Sequence, residues 1–369
     1  MVQRPRVSHT KYRFFVTGYR IIIFLFALTS SLLLSSCAGP SAGGPVLEAK
    51  AAIERCDPFM GDWQGSWKLD DGGDSGPLVA QVIALGKGEY RAVFFAEFDT
   101  RTEPLGVLEG RLGGARVSLT GWADSEIGRL DVKAVIEGGK FSGTFKGQGE
   151  SGTFELTKTI RLSPTLGAEP PAGAIVLFNG KNFRQWEPTE KKPGVKSAQW
   201  NRTKDGAMEV KKGAGSTVTK KKFIDFKLHL EFRTPFMPDK RGQARGNSGV
   251  YLQGRYEIQV LDSYGLEGAD NECGGIYKVG RPIVNMCAPP MQWQTYDITF
   301  HAPRFDNAGA KIKDASVTVV HNGVTIHDER KIPGPTGGAL DSNAGEPGGI
   351  YLQDHGNPVQ FRKIWLVEL

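Results

Sequence analysis

From residue 57 to about 161, apolar and polar positions alternate in short runs separated by glycine-rich breaks. Residues 80–85, 90–95, 116–119, 130–136, 141–145 and 153–156 read as short strands between these turns. Six or more strands in about a hundred residues predict a small antiparallel barrel or sandwich. Within it, residues 147–152 (GQGESG) fit the dinucleotide pattern G-x-G-x-x-G, but a strand-like run follows where a helix must begin, so the stretch reads as a hairpin turn. No acid, base and amide set gathers in this region, and no chemistry is assigned to it. Residues 162–173, rich in Pro and Gly, read as a linker. Beyond it, residues 174–369 hold a second series of β runs at 174–178, 226–233, 249–261, 296–301, 316–321, 349–353 and 359–367. The pattern predicts an all-β chain whose larger, C-terminal part is a double-sheet jelly roll with a concave, ligand-holding sheet.

The stretch 249–262 (GVYLQGRYEIQVLD) carries the most information, because side chains on a strand alternate between faces. One face takes Val250, Leu252, Gly254, Tyr256, Ile258 and Val260, which suits a core. The other takes Tyr251, Gln253, Arg255, Glu257 and Gln259: a ring, two amides, a guanidinium and a carboxylate in one row. Such a row suits a sugar, whose hydroxyls need polar partners and whose ring packs on aromatics. The pattern returns at 349–356 (GIYLQDHG), where Tyr351, Gln353 and His355 share the polar parity. A third run, 226–233, puts Phe226, Leu228, Leu230 and Phe232 inward and leaves His229, Glu231 and Arg233 outward. If the three strands are neighbours, Glu231, Glu257 and His355 form a titratable cluster able to serve as acid and base. Asp262 joins the candidates if a bulge turns it onto the face of Glu257.

Composition sharpens the picture. The 48 Gly, 21 Pro and 36 aromatic residues among 369 interrupt helices and suit short strands and turns, excluding a helical bundle or collagen. The formal charge of +6 invites a nucleic-acid reading. Residues 1–36, however, hold five basic residues and no acidic one, leaving 41 basic against 40 acidic in the remainder, so no nucleic-acid partner is expected. The basic segment ends at Arg20 and precedes fourteen mostly apolar residues, 21–34, the length of a signal-peptide core. Leu34-Ser-Ser-Cys37 then resembles a bacterial lipobox, with Cys37 as the lipid-bearing first residue of the mature chain. Residues 1–36 are thus read as a lipoprotein signal peptide and 37–56 as a tether, so that the domains are exported and held to a membrane. Such a compartment permits a disulfide between Cys273 and Cys287, with Cys56 left over, although three buried thiols fit the spacing equally well. There is no Cys-x-x-Cys pair, and the six His do not cluster, so a structural zinc is not expected. Glu231, Glu257, Asp262 and His355 have the chemistry to hold a divalent ion, but their spacing matches no motif.

Residues 175–186 (IVLFNGKNFRQW), 225–233 (DFKLHLEFR), 245–251 (RGNSGVY), 256–262 (YEIQVLD), 274–277 (GGIY), 352–356 (LQDHG) and 359–362 (VQFR) together resemble the 3-keto-disaccharide hydrolase domain family, also described as 3-keto-glucoside lyase and hydratase. The resemblance covers about 175–369 and says nothing of 57–161. It implies a concanavalin-like jelly roll acting on sugars already oxidised at C3, and hence a sugar 3-oxidoreductase as pathway partner. No cofactor is required by the sequence. Glu257, His355 and Asp262 are the candidate catalytic groups. Tyr251, Gln253, Arg255, Gln259, Arg245, Asn247, Glu231, Arg233, Tyr351 and Gln353 are the candidate substrate contacts. Two other readings stay open: a lectin-like glycan-binding domain, and a β-glucanase-like glycoside hydrolase. The second would rest on the stretch Glu257 to Asp262, where Gln259 replaces the central carboxylate of E-x-D-x-x-E.

Overall fold

The computed structural model describes residues 52–125, 128–190 and 193–369. Residues 1–51, on which the expected signal peptide and Cys37 fall, lie outside the described residues. Strands β1 (Gly61–Leu69), β2 (Ser75–Gly86), β3 (Glu89–Phe95), β4 (Gly106–Gly113), β5 (Arg116–Ser125), β6 (Gly128–Glu137), β7 (Lys140–Gly147) and β8 (Glu150–Thr159) close into an antiparallel barrel, β1 pairing with β8. The described residues are nearly all β, and of the two expected forms of the first part the barrel is the one adopted. Closure leaves no free sheet edge on which another chain could pair. The GQGESG stretch is the β7–β8 hairpin.

The second part is a two-sheet sandwich. In chain order its strands are β9 (Ile175–Phe178), β10 (Trp186–Pro188), β11 (Asn201–Arg202), β12 (Met208–Glu209), β13 (Thr217–Thr219), β14 (Phe226–Arg233), β15 (Ser248–Leu252), β16 (Tyr256–Val260) and β17 (Gln294–His301). There follow β18 (Arg304–Phe305), β19 (Lys311–Lys313), β20 (Ala315–His321), β21 (Val324–Ile332), β22 (Tyr351–Leu352) and β23 (Gln360–Glu368). One sheet runs β10-β13-β22-β15-β16; the other runs β11-β12-β23-β14-β17-β20-β21, with β9 against β23. Phe226, Leu228, Leu230 and Phe232 of one sheet share a core with Val250, Leu252, Ile258 and Val260 of the other, all nearly inaccessible to solvent. Burying each such side chain contributes roughly 1.5–3 kcal/mol, so the alternating pattern decides which face of each strand turns inward.

The linker lies across the outer face of the larger sheet. Gly167 N donates to Glu231 Oε1 at 2.5 Å, and Thr165 Oγ1 donates to Asp297 Oδ2 at 2.6 Å. The barrel docks through β2 and β3, whose Ile83 and Val93 join the sandwich core. The Tyr264 hydroxyl donates to Asp62 Oδ1 at 2.6 Å, and Arg101 donates to the carbonyls of Gly268, Pro282 and Ile283. These contacts brace the loop that follows β16.

Candidate functional site

The stretch 249–262 is two strands. β15 and β16 form a hairpin whose turn residues Gln253 and Gly254 adopt left-handed φ of 54° and 68°, with Arg255 N donating to Leu252 O at 3.0 Å. The register sets Val250 opposite Ile258 and Tyr251 opposite Glu257, so three residues separate the strands. An odd turn keeps odd residues on one face and even residues on the other, as in a single strand; a two-residue turn would have exchanged them. β22 pairs with β15 so that Tyr351 lies opposite Tyr251, with ring centroids 4.5 Å apart. The two repeated motifs are therefore neighbours, and Glu257, Tyr251 and Tyr351 form one row across three strands of the smaller sheet.

Glu257 is the centre of this row. It is 4% exposed, and burial pushes its carboxyl from the ordinary 4.5 to about 7, opposed only by a hydrogen bond from Tyr251. Its backbone N–H donates to Thr336 Oγ1 at 2.9 Å. The carboxylate occupies the space over Gly249: a Cβ there would sit 2.4 Å from Glu257 Oε1 and 2.8 Å from the Tyr251 ring. The single Tyr251 hydroxyl proton faces two acceptors, Gly337 O at 2.8 Å and the Glu257 carboxylate, and the hydroxyl oxygen accepts from Gln353 Nε2 at 3.3 Å. Burial, reinforced by the neighbouring Glu257 and Tyr351, pushes the Tyr251 phenol far up, so it stays protonated as a donor. The row thus holds a carboxyl poised near neutrality beside a phenol that keeps its proton, the pairing that acid–base chemistry requires.

Further along the face, Gln259 Nε2 donates to Gln243 Oε1 at 3.1 Å, and Asn247 Nδ2 donates to Gln243 O at 2.8 Å. The buried Gln259 Oε1, Asn247 Oδ1 and Arg245 Nη2 have no protein partner. Two acceptors and a guanidinium donor left without partners are groups that a polyol satisfies.

Other candidates are placed differently. Arg255 is held at the hairpin turn, Nε to Asp341 Oδ1 at 2.6 Å and Nη1 to Glu346 O at 2.7 Å. Gln253 Nε2 donates to Phe223 O at 2.9 Å. Asp262 accepts from Arg245 Nε at 2.6 Å in an ion pair almost closed to solvent; burial pushes its carboxyl up against the pull of the guanidinium. His355 is exposed in the loop after β22, next to Asp354, whose Oδ2 accepts from Gly215 N at 3.2 Å.

Three expectations need correction. Glu231 and Arg233 are not on the sheet of Glu257, because β14 belongs to the opposite sheet; parity fixes a face but not the sheet. Glu231 accepts from Arg362 Nε at 2.5 Å and from the linker, while Arg233 donates to Gln360 and to Asp205. The cluster of Glu231, Glu257 and His355 is accordingly not assembled by these strands. Cys273 and Cys287 are free thiols rather than a disulfide; they are buried in the core and hydrogen-bonded to each other, with Cys273 Sγ 3.3 Å from the Tyr296 hydroxyl. Among the described residues no group of three or more His, Cys, Asp or Glu is arranged to hold a metal ion.

Sequence reasoning missed Thr336, Gly249, Gln243 and the Gly337 carbonyl. Gly249 had a signal: the same Gly-x-Tyr-Leu-Gln begins at Gly349. Thr336 and Gly337 lie in a Pro- and Gly-rich loop without periodicity, and no local pattern marks them.

Comparison with known proteins adds the following. The sequence profile of the 3-keto-alpha-glucoside-1,2-lyase-like domain matches residues 173–367. A candidate glycosyl hydrolase from Parabacteroides distasonis ATCC 8503 is 38% identical over 54% of this chain and 85% of its own, with a TM-score of 0.48. A second from the same organism is 22% identical over 53% of this chain and 94% of its own, with a TM-score of 0.38. A xylan β-1,4-xylosidase from Bacillus halodurans C-125 aligns over 84% of this chain and 85% of its own, at 8% identity and a TM-score of 0.27. No curated protein matches.

Proposed function

The chain belongs to the 3-keto-alpha-glucoside-1,2-lyase-like family, and from that premise we propose that it cleaves glycosides already oxidised at C3, with Glu257 as the base. The observation that carries the reading is the Glu257 carboxyl, held near pH 7 over Gly249 and beside the protonated Tyr251. A 3-keto group acidifies the C2 hydrogen. The Glu257 carboxylate takes that proton, and the C2–H electrons form the C2=C3 enolate with charge on the 3-oxygen. The enolate collapses to the ketone, C1=C2 forms, and the C1–O electrons leave with the glycosidic oxygen, which takes up a proton. Water adding back across C1=C2 completes net hydrolysis. With substrate in place, Tyr251 turns its one hydroxyl proton from Gly337 O to the charge that develops on the 3-oxygen, a contribution realised most strongly in the transition state. Gln259 Oε1 and Asn247 Oδ1 accept from sugar hydroxyls, and Tyr351 packs against the ring. Arg255, Gln253 and Asp262 hold the hairpin and the loop after it.

A two-carboxylate glycosidase finds less support, because Gln259 occupies the central position and Asp262 is committed to Arg245. The test is incubation of the full chain with a 3-keto-glucoside and with its unoxidised parent. A 2-hydroxy-glucal intermediate and released aglycone from the keto sugar alone are expected; cleavage of both at equal rates would overturn the reading. We also propose that a sugar 3-oxidoreductase supplies the substrate and that lipidation at Cys37 holds the exported protein to a membrane. A Cys37→Ser chain should accumulate as a longer, unprocessed precursor, and normal processing would refute the anchor.

A further inference from the structure

The barrel is plugged at one end and hollow at the other. A helical turn at 52–56 brings Ile53 into the barrel, and Asp57 Oδ1 accepts from the backbone of Phe59 and Met60 at 2.9 Å. Asp57 Oδ2 accepts from the Tyr90 hydroxyl at 2.8 Å, and Phe59 packs edge-on against Tyr90. Above this plug, Trp63, Phe94, Phe141 and Phe154 fill the next layer through tilted and edge-to-face contacts.

Toward the other end, where β1 finishes at Leu69, the filling stops. A cavity of about 290 Å³ is lined there by Trp67, Leu78, Leu108, Phe145 and Phe154 among others. Protein interiors rarely leave a void much larger than a water molecule, so an opening of this size in a barrel otherwise packed with rings needs a cause. Two glycines supply it. A Cβ on Gly143 would meet the Phe154 ring at 2.5 Å, and one on Gly152 would meet the Phe145 ring at 2.3 Å. Both rings lie back over bare backbone, against the wall, and leave the centre open. Asp74, Asp124 and Glu150 also line the cavity, and no Lys or Arg is among its lining residues. Asp74 and Asp124 are exposed, which puts them at the mouth; nearby, Arg129 rests 4.2 Å over the ring of Trp122.

We propose that the barrel is a binding site for a small organic cation, its ring body in the apolar cavity and its ammonium among the carboxylates at the mouth. The volume lies just below the usual range for small-molecule pockets, about 300–1,000 Å³, which fits a small body of one or two rings. Aromatic side chains beside carboxylates attract an organic cation through both ring faces and charge, while an acid would be repelled by three like charges. None of these residues belongs to the Glu257 site, so the proposal stands apart from the function proposed above.

The test uses the full chain at low salt and three probes of one shape: 1-naphthylmethylammonium, 1-naphthylmethanol and 1-naphthoate, followed by tryptophan fluorescence and calorimetry. The ammonium should bind saturably, one to one, and at least tenfold tighter than the alcohol, with no binding of the carboxylate. The triple variant Asp74→Asn, Asp124→Asn, Glu150→Gln should lose the preference for the cation and keep the affinity for the alcohol. A second variant, Leu108→Trp, should abolish binding of both; because it alters the barrel interior, the rim variant decides if it does not fold. Absence of saturable binding, equal affinity for ammonium and alcohol, tighter binding of naphthoate, or a preference that survives in the triple variant would each overturn the proposal.

Discussion

Replacing Glu257 with Gln separates the work of this carboxyl from its effect on stability. Burial takes the group from 4.5 to about 7, so the folded chain holds this proton more tightly than the unfolded chain does. Between those two values the folded state binds more protons, and stability falls as pH rises through the window. Below about 4.5 the group is protonated in both states and contributes nothing; above about 7 the full penalty is present. At about 1.36 kcal/mol for each tenfold in proton affinity, the penalty amounts to about 3 kcal/mol. Gln carries no charge to bury and still accepts from Tyr251, so Glu257→Gln should be as stable as the parent at pH 4 and up to about 3 kcal/mol more stable at pH 8. Its turnover should fall by about 10² to 10⁴, the usual worth of a positioned base, while the parent's rate rises with pH through about 7 as the carboxylate forms. Denaturant unfolding of both chains at a series of pH values, alongside turnover on a 3-keto-glucoside, reads all of these together. A stability difference that does not change with pH, or a variant weaker than the parent at pH 8, would refute the claim that this carboxyl is held desolvated for proton transfer.

Other substitutions probe the surroundings of that group. Gly249→Ala places a methyl 2.4 Å from Glu257 Oε1 and should lower turnover at least tenfold while costing about 1–3 kcal/mol, read by kinetics and unfolding; a fully active variant would show that the carboxylate does not work from this position. Tyr251→Phe should lower turnover by about 10²-fold or more with little change in KM, whereas the exposed His355→Ala should cost less than tenfold; the reverse order would move the proton donor to the loop after β22. Arg245→Met leaves the Asp262 carboxyl buried without its partner and should destabilise the chain by about 3–5 kcal/mol at neutral pH, measured by unfolding; a loss under about 1 kcal/mol would show that the pair is not structural.

The faces of strands were legible in the sequence because burial imposes a period that any single strand reveals. Val250 and Ile258 lie in the core and Tyr251 and Glu257 on the opposite face, as the alternation implies, even though a turn the sequence reading did not place divides them. Sheet membership was not legible. The alternation of β14 is as regular as that of β15, but its neighbours come from residues 294–301 and 360–368, and pairing over such separations leaves no local trace. For the same reason Glu231 looked like a partner of Glu257 until the topology set it under the linker. The loop groups of the site, Thr336 and the Gly337 carbonyl, act through backbone position rather than residue type. The barrel's strands could be read, but closure and the hollow end depend on which glycines face inward, and that depends on the register of all eight strands.

The central claim, that cleavage begins with removal of the C2 proton by Glu257, is tested most directly by following deuterium at C2 of a 3-keto-glucoside through turnover by the full chain. Elimination breaks that bond, so the label should appear in solvent, the labelled substrate should react more slowly than the unlabelled one, and Glu257→Gln should suppress the exchange along with the turnover. Released sugar that retains its C2 deuterium, formed at the same rate from labelled and unlabelled substrate, would contradict the account.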